Sequence, residues 1–269
     1  MNENIRLCRD GVISPEIALT RLVLAGIDPA EIAAMAVAAA SLAALVATRP
    51  QAAAELAAMV ADCGMTHDGG DLAQVRALFD RAVAHSPETS VAAYSLGDPA
   101  VLRRATDELL AWLDAERLIW PAAEVLDVGC GIGRVAAALA PFVRSVHGID
   151  VSPGMVAQAK ARHSGLANVR FAVTSGTGLS GEAVDLVLAV DSFPYLVQAG
   201  VAEAHVATAA TLLRPGGALA ICNLSYRGDP DADARDAARW AMALGMRLDI
   251  CGERPFQLWD GAAFVWRKP

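Results

Sequence analysis

Between Val125 and Arg134 the chain reads VLDVGCGIGR, a short apolar run followed by glycine at every second position, Gly129, Gly131 and Gly133. Residues 124–128 have the length and character of a buried strand, and residues 132–143 read as a helix, so the glycines occupy a strand-to-helix turn. Glycine at such a turn permits positive backbone angles and close approach of a ligand to the main chain. A tight turn would need only one or two glycines. Three at this spacing predict an extended cofactor lying across the turn. The same rhythm continues downstream. Strands are expected at 146–150, 169–173, 184–190 and 218–224, with helices at 153–163 and 201–213. Strands alternating with helices predict a parallel sheet covered on both faces. In such sheets ligands sit beyond the carboxyl ends of the strands, where the strand order reverses.

The first 90 residues follow a different rule. Ser14-Pro15-Glu16 opens a helix that stops at Gly26, and Asp28-Pro29 opens another that ends before Pro50. A third helix is expected from about Gln51 to Cys63, closed by Gly64, and a fourth, LAQVRALFDRAVA, ends before Pro87. Proline at the first helical position and glycine past the last are the expected punctuation. The stretch from Cys63 to Asp71 reads as a loop. Asp98-Pro99 begins a long amphipathic helix reaching about Ile119. The most apolar run, Ile32 to Thr48, is mainly alanine and shorter than a bilayer span, so it is expected as a buried helix.

Composition narrows the function. The net charge is −8, which argues against binding to a phosphate backbone and predicts no nucleic-acid partner. Five cysteines, Cys8, Cys63, Cys130, Cys222 and Cys251, form no CxxC pair. They suit a reduced, cytoplasmic chain with no metal. Cys63 and His67 lack a second ligand pair. The N-terminus has no signal-peptide pattern, and no membrane association is expected.

A dinucleotide fingerprint would be G-x-G-x-x-G, with its third glycine at position 134, where this chain has Arg134. The acid ending the second strand, Asp150, suits a ribose carboxylate, because an ionised carboxylate accepts from both sugar hydroxyls.

From about Tyr94 onward the chain resembles the class I S-adenosylmethionine-dependent methyltransferases. VLDVGCGIGR, GIDVSPGMV, VDLVLAVDSF and LLRPGGALAI stand in that family's order and spacing, over about two thirds of the chain. The resemblance implies an α/β, Rossmann-like, doubly wound seven-stranded sheet, mostly parallel. An antiparallel C-terminal hairpin, Met246–Cys251 and Ala262–Arg267, would close it. A helical extension at residues 1–90 would precede a cofactor-binding domain at 91–269. The resemblance also implies roles. S-adenosyl-L-methionine is the cofactor and S-adenosyl-L-homocysteine the product. Asp127, Gly129, Cys130 and Gly131 would line the methionine end, with Tyr94 folding over it. Asp150 and Val151 would lie at the ribose, and Met155 against the adenine. Where the family often presents an acid to the adenine, this chain has Ser175, Gly176 and Thr177, whose hydroxyl and main chain would serve instead. Asp191 would sit near the transferring methyl.

For the acceptor, two loops are the expected contacts, Asp191-Ser192-Phe193-Pro194-Tyr195 and Ser225-Tyr226-Arg227-Gly228-Asp229. Asp191, Tyr195 and His205 are the catalytic candidates, and Arg227 would hold an acidic acceptor. Phe256 and Trp259 are expected to pack the loop between the last two strands. The expected activity is methyl transfer to a small molecule. The alternatives are a regulatory protein that binds the same cofactor without catalysis and an NAD-dependent oxidoreductase. The alanine-rich helices need burial, which predicts a lid or a homodimer contact.

Overall fold

The computed structural model describes residues 1–64 and 70–269. They fall into two compact units. One holds residues 1–64, 81–108 and 256–260, and the other holds 70–80, 109–255 and 261–269. His67 and part of the loop after Cys63 lie outside the described residues. Among those described, no helix is long and apolar enough to cross a membrane, and no cluster of metal-ligating side chains occurs.

The first half of the chain supplies α1 (Glu3–Arg9), α2 (Pro15–Leu24), α3 (Pro29–Ala36), α4 (Ala40–Thr48) and α5 (Ala52–Cys63). Next come α6 (Leu72–His85), α7 (Pro87–Val91), a 3-10 turn (Ala93–Ser95) and α8 (Pro99–Ala115). The punctuation acts as expected. Ser14 Oγ accepts from Ile17 N at 3.1 Å, Asp28 Oδ1 accepts from Ala30 N at 2.8 Å, and Gly64 closes α5 with φ +66°. Two expectations are corrected. The apolar run 32–48 is not one buried helix: it breaks at 37–39, leaving Val37 79% exposed while Ile32, Ala36, Ala39 and Leu42 are buried. Alanine-rich sequence offers no broad apolar stripe to keep a single helix on one face. The helix α8 stops at Ala115 rather than near Ile119, because Arg117 turns to φ +54°.

A cut at residue 90/91 does not describe the compact units. Residues 256–260, in the loop between the last two strands, belong to the helical one. Glu108 accepts from Gln257 N and Leu258 N at 3.0 and 3.1 Å, Phe256 stacks on Trp259 at 4.9 Å, and Asp260 pairs with Arg21. Phe256 and Trp259 thus stack on each other within that loop.

The sheet unit contains β1 (Glu124–Val128), α9 (Arg134–Leu139), β2 (Ser145–Asp150), α10 (Pro153–Arg162), β3 (Val169–Val173) and β4 (Val184–Val190). It continues with α11 (Phe193–Gln198), α12 (Ala202–Leu212), β5 (Leu213–Cys222), α13 (Pro230–Leu244), β6 (Arg247–Glu253) and β7 (Ala263–Arg267). The strand order is β3-β2-β1-β4-β5-β7-β6, parallel from β3 to β5 and antiparallel at β7 and β6. It is the expected seven-stranded, mostly parallel sheet. The order reverses between β1 and β4, so their carboxyl ends flank the crevice where such sheets bind ligands. Three elements differ from expectation. The helix after the first strand is shorter than 132–143. Phe193–Gln198 is a helix rather than a loop, with Pro194 in its first turn. The unanticipated α13 buries Trp240 against Phe193 and Trp266, whose Nε1 donates to Ala237 O at 3.0 Å. Each such buried side chain contributes roughly 1.5–3 kcal/mol.

Candidate functional site

At the end of β1 the three glycines take φ +73°, +53° and +79°. Two of them are not bare for a ligand. A Cβ added to Gly129 would overlap Ser192 Cβ, and one added to Gly133 would come within 2.6 Å of Phe171 and 2.9 Å of His163. The close approach predicted at those positions is made by the protein itself. Ser192 also donates to Val128 O at 2.6 Å, so the start of α11 is clasped to the turn.

The backbone donors of the turn are largely consumed. Gly129 N and Cys130 N donate to Ile149 O, Gly133 N to Cys130 O, and Gly131 N to Asp150 Oδ2 at 2.9 Å. A pyrophosphate cradle needs such N–H groups aimed at the ligand. This turn therefore does not resemble a dinucleotide site. It offers carboxylates instead. Asp127 is 2% exposed, and its Oδ2 has no hydrogen-bond partner among the described residues. Burial pushes its carboxyl up to about 7, against the pull of Arg134. A buried carboxylate with one oxygen left unpartnered suits a cationic group such as the ammonium of an amino acid. Cys130, also buried, has its thiol pushed well up by burial and by the two nearby carboxylates, so it is no nucleophile.

Asp150 ends β2. Its Oδ1 accepts from Ser152 N at 2.8 Å and its Oδ2 from Gly131 N, which leaves lone pairs for further donors. Burial, with the nearby Asp80, raises its pKa, while main-chain bonds from Ser152, Gly131 and Val151 pull it down. Met155, 1% exposed, follows in the first turn of α10, and Val151 flanks the buried Gly176 after β3, which takes φ +76°. A Cβ on Gly176 would come within 2.6 Å of Val151 and 3.3 Å of Leu72. Ser175 and Thr177 are exposed, with their hydroxyls 2.9 Å apart. The residues expected for ribose and adenine thus line two adjacent loops, and this set of groups fits S-adenosylmethionine.

A second group gathers at the ends of β4 and β5. Asp191 and Asn223 both adopt left-handed backbone, φ +56° and +75°. Asp191 Oδ1 accepts from Asn223 Nδ2 and from the Tyr226 hydroxyl, each at 2.8 Å. Tyr226 and Tyr195 are hydrogen-bonded, with rings edge-to-face at 5.6 Å, and Phe79 meets Tyr195 edge-on at 5.0 Å. Burial and the charge of Asp191 push both phenols far up, so both remain protonated donors. Asn223, Tyr226 and Phe79 were not among the expected site residues, although Tyr226 lay in an expected loop. Left-handed backbone at non-glycine residues tends to persist where surrounding structure over-determines it, often at functional sites.

Other expected residues lie elsewhere. His205 is 3% exposed on α12, its Nδ1 bonded to Val201 O at 2.9 Å, and burial lowers its pKa. Its ring is engaged within its own helix rather than with the Asp191 group. Arg227 pairs with Asp233 and Asp236 of α13, each at 2.6 Å, instead of presenting a free guanidinium to an acceptor. Tyr94, 7% exposed, belongs to the helical unit.

Residues 125–217 match a family described as a methyltransferase domain. The chain is 30% identical over 163 residues to the demethylmenaquinone methyltransferase of Tropheryma whipplei strain Twist, covering 60% of this chain and 64% of that protein. It is 34% identical over 113 residues to the ubiquinone biosynthesis O-methyltransferase of Xanthomonas campestris pv. campestris strain B100, covering 41% and 47%. The alignments thus span less than two thirds of these relatives' length. Among solved structures, a chain from the complex between the Haloferax volcanii Trm112 methyltransferase activator and a methyltransferase is similar, with a TM-score of 0.51 and 17% identity. It covers 68% of this chain and 98% of that one, a likeness of fold.

Proposed function

We propose that the chain, whose residues 125–217 match a methyltransferase-domain family, is a class I S-adenosylmethionine-dependent methyltransferase that transfers a methyl group to the hydroxyl oxygen of a small planar aromatic molecule. When bound, S-adenosylmethionine supplies a methyl group on a sulfonium, already a good leaving group. Asp150 then holds the ribose hydroxyls, and Asp127 faces the amino-acid end. The acceptor lies at the Asp191–Tyr226–Tyr195 group, where aromatic edges favour a flat ring.

The observation that carries this reading is the carboxylate of Asp191 held by Asn223 and Tyr226 beside the glycine turn. A phenolic acceptor must shed a proton as its oxygen attacks, and Asp191 is the anionic member of the group. Tyr226 spends its single O–H on Asp191, so it holds the carboxylate in place, and Tyr195, hydrogen-bonded to Tyr226, backs it. With the donor bound, Asp191 would take the proton that the acceptor hydroxyl sheds as its oxygen gains the methyl group and sulfur keeps the electron pair. Positioning in a water-poor cleft provides the rest of the rate. The names of the relatives, which include a ubiquinone biosynthesis O-methyltransferase, support an acceptor of quinol or phenol type.

The test is incubation with methyl-labelled S-adenosylmethionine and a panel of catechols, hydroquinones, amines and carboxylates, followed by mass spectrometry. Label in an acid-stable aryl ether supports the proposal. Label only on nitrogen, carbon or a carboxylate refutes the oxygen assignment. Cofactor binding without transfer to any panel member favours the regulatory alternative.

A further inference from the structure

The network that sets Asp150 does not end within the β2–α10 loop. Ser152, fully buried, donates its main-chain N–H to Asp150 Oδ1 at 2.8 Å. Its hydroxyl accepts from Met155 N at 3.0 Å and donates to Asp80 Oδ1 at 2.6 Å. The same Asp80 oxygen accepts from Gly154 N at 2.9 Å. Asp80 stands on α6, more than forty residues before β1 and outside every motif of the sheet, yet residues 70–80 belong to the sheet unit.

A helix-capping role alone does not account for it. Ser152 already caps α10 through Met155 N. Asp80 instead ties the Ser152 hydroxyl and the Gly154 main-chain N–H to α6, and so anchors the loop whose Ser152 N–H donates to Asp150. Leu72, two turns earlier on α6, contributes to the wall behind Gly176 and Val151.

We propose that Asp80 is a positioning residue for the cofactor's ribose, acting through Ser152 on Asp150. The inference rests on the methyltransferase reading. It assigns part of the donor site to a helix that precedes the sheet.

A double-mutant cycle tests it by titration calorimetry on the full chain with S-adenosylhomocysteine. Loss of a hydrogen bond to a charged partner predicts about tenfold weaker binding for Asp80→Ala. Asp150→Ala should weaken it about a hundredfold, and the double variant should be no worse than Asp150→Ala within about twofold, since the two residues act in one network. Asp80→Asn retains the accepting oxygen and should stay within about threefold of wild type. If Asp80→Ala does not fold, Asp80→Ser, too short to span to Ser152, takes its place. A merely structural Asp80 would lower the melting temperature and leave affinity untouched, or would add its full loss on top of Asp150→Ala. Either result overturns the inference and leaves the parent reading standing. A wild-type chain that does not bind S-adenosylhomocysteine at all would overturn both.

Discussion

The two ends of the crevice are built on opposite plans. The proposed donor end, at β1 and β2, is made of main chain and buried carboxylates. Most of its groups come from one continuous stretch, Asp127 to Met155. The proposed acceptor end, at β4 and β5, is made of side chains. Phe79, Asp191, Tyr195, Asn223 and Tyr226 reach it from three separate segments. A donor site in which main chain fixes the geometry tolerates little change. An acceptor site made of side-chain tips can be retuned one residue at a time without disturbing the donor.

The harshest test of that contrast is Gly129→Ala. Its Cβ would overlap Ser192 and its φ of +73° disfavours any side chain. Donor affinity should fall more than about a hundredfold or the chain should fail to fold, in keeping with overpacking costs of 1–3 kcal/mol plus backbone strain. Adding Ser192→Gly removes the overlap and should restore most of the loss. A double variant as poor as Gly129→Ala alone would mean that the ligand, not Ser192, needs the space.

Asp127→Asn comes next. A cationic donor requires ionised Asp127, so wild-type affinity for S-adenosylmethionine should strengthen as pH rises to about 7 and then level off. The asparagine variant should bind about a hundredfold more weakly at pH 8 and lose that pH dependence. Stability runs the other way. The native carboxyl holds its proton up to about 7 against an ordinary 3.8. The neutral form's advantage is complete below pH 4 and is lost as pH rises through 7, at most roughly 4 kcal/mol. Thermal melts should show Asp127→Asn gaining on wild type across that interval and matching it at pH 4.

At the acceptor end, Tyr226→Phe removes one donor to Asp191. Turnover should fall about tenfold while donor affinity stays within about twofold. Phe79→Leu is gentler, raising the acceptor KM a few-fold, about 1 kcal/mol, through loss of its edge contact with Tyr195. Arg227→Ala should change neither binding nor turnover, and stability by less than about 1 kcal/mol, because its partners are on α13 rather than in the crevice.

The same division explains what could be read from sequence. The donor turn, Asp150 and the strands around them are local, so spacing and punctuation reveal them. The helix α13 was not anticipated, although the same punctuation marks it: Asp229-Pro230 opens it and Gly245 closes it, as at Asp28-Pro29 and Asp98-Pro99. The packing of Ser192 against Gly129 was not legible, because 63 positions separate them and no pattern links a serine to a missing Cβ. Nor was the joining of Phe79 to Tyr195, since a phenylalanine on an amphipathic helix reads as core. Alanine-rich residues 32–48 carry no internal stop, so only tertiary burial reveals the break at 37–39.

The division of labour is most directly tested by measuring S-adenosylhomocysteine affinity and methyl turnover together for Asp150→Ala and Asp191→Asn. The expected result is affinity lost in the first variant and retained in the second, with turnover at saturating donor lost in the second. Equal affinity losses in both, or binding untouched by Asp150→Ala, would contradict it.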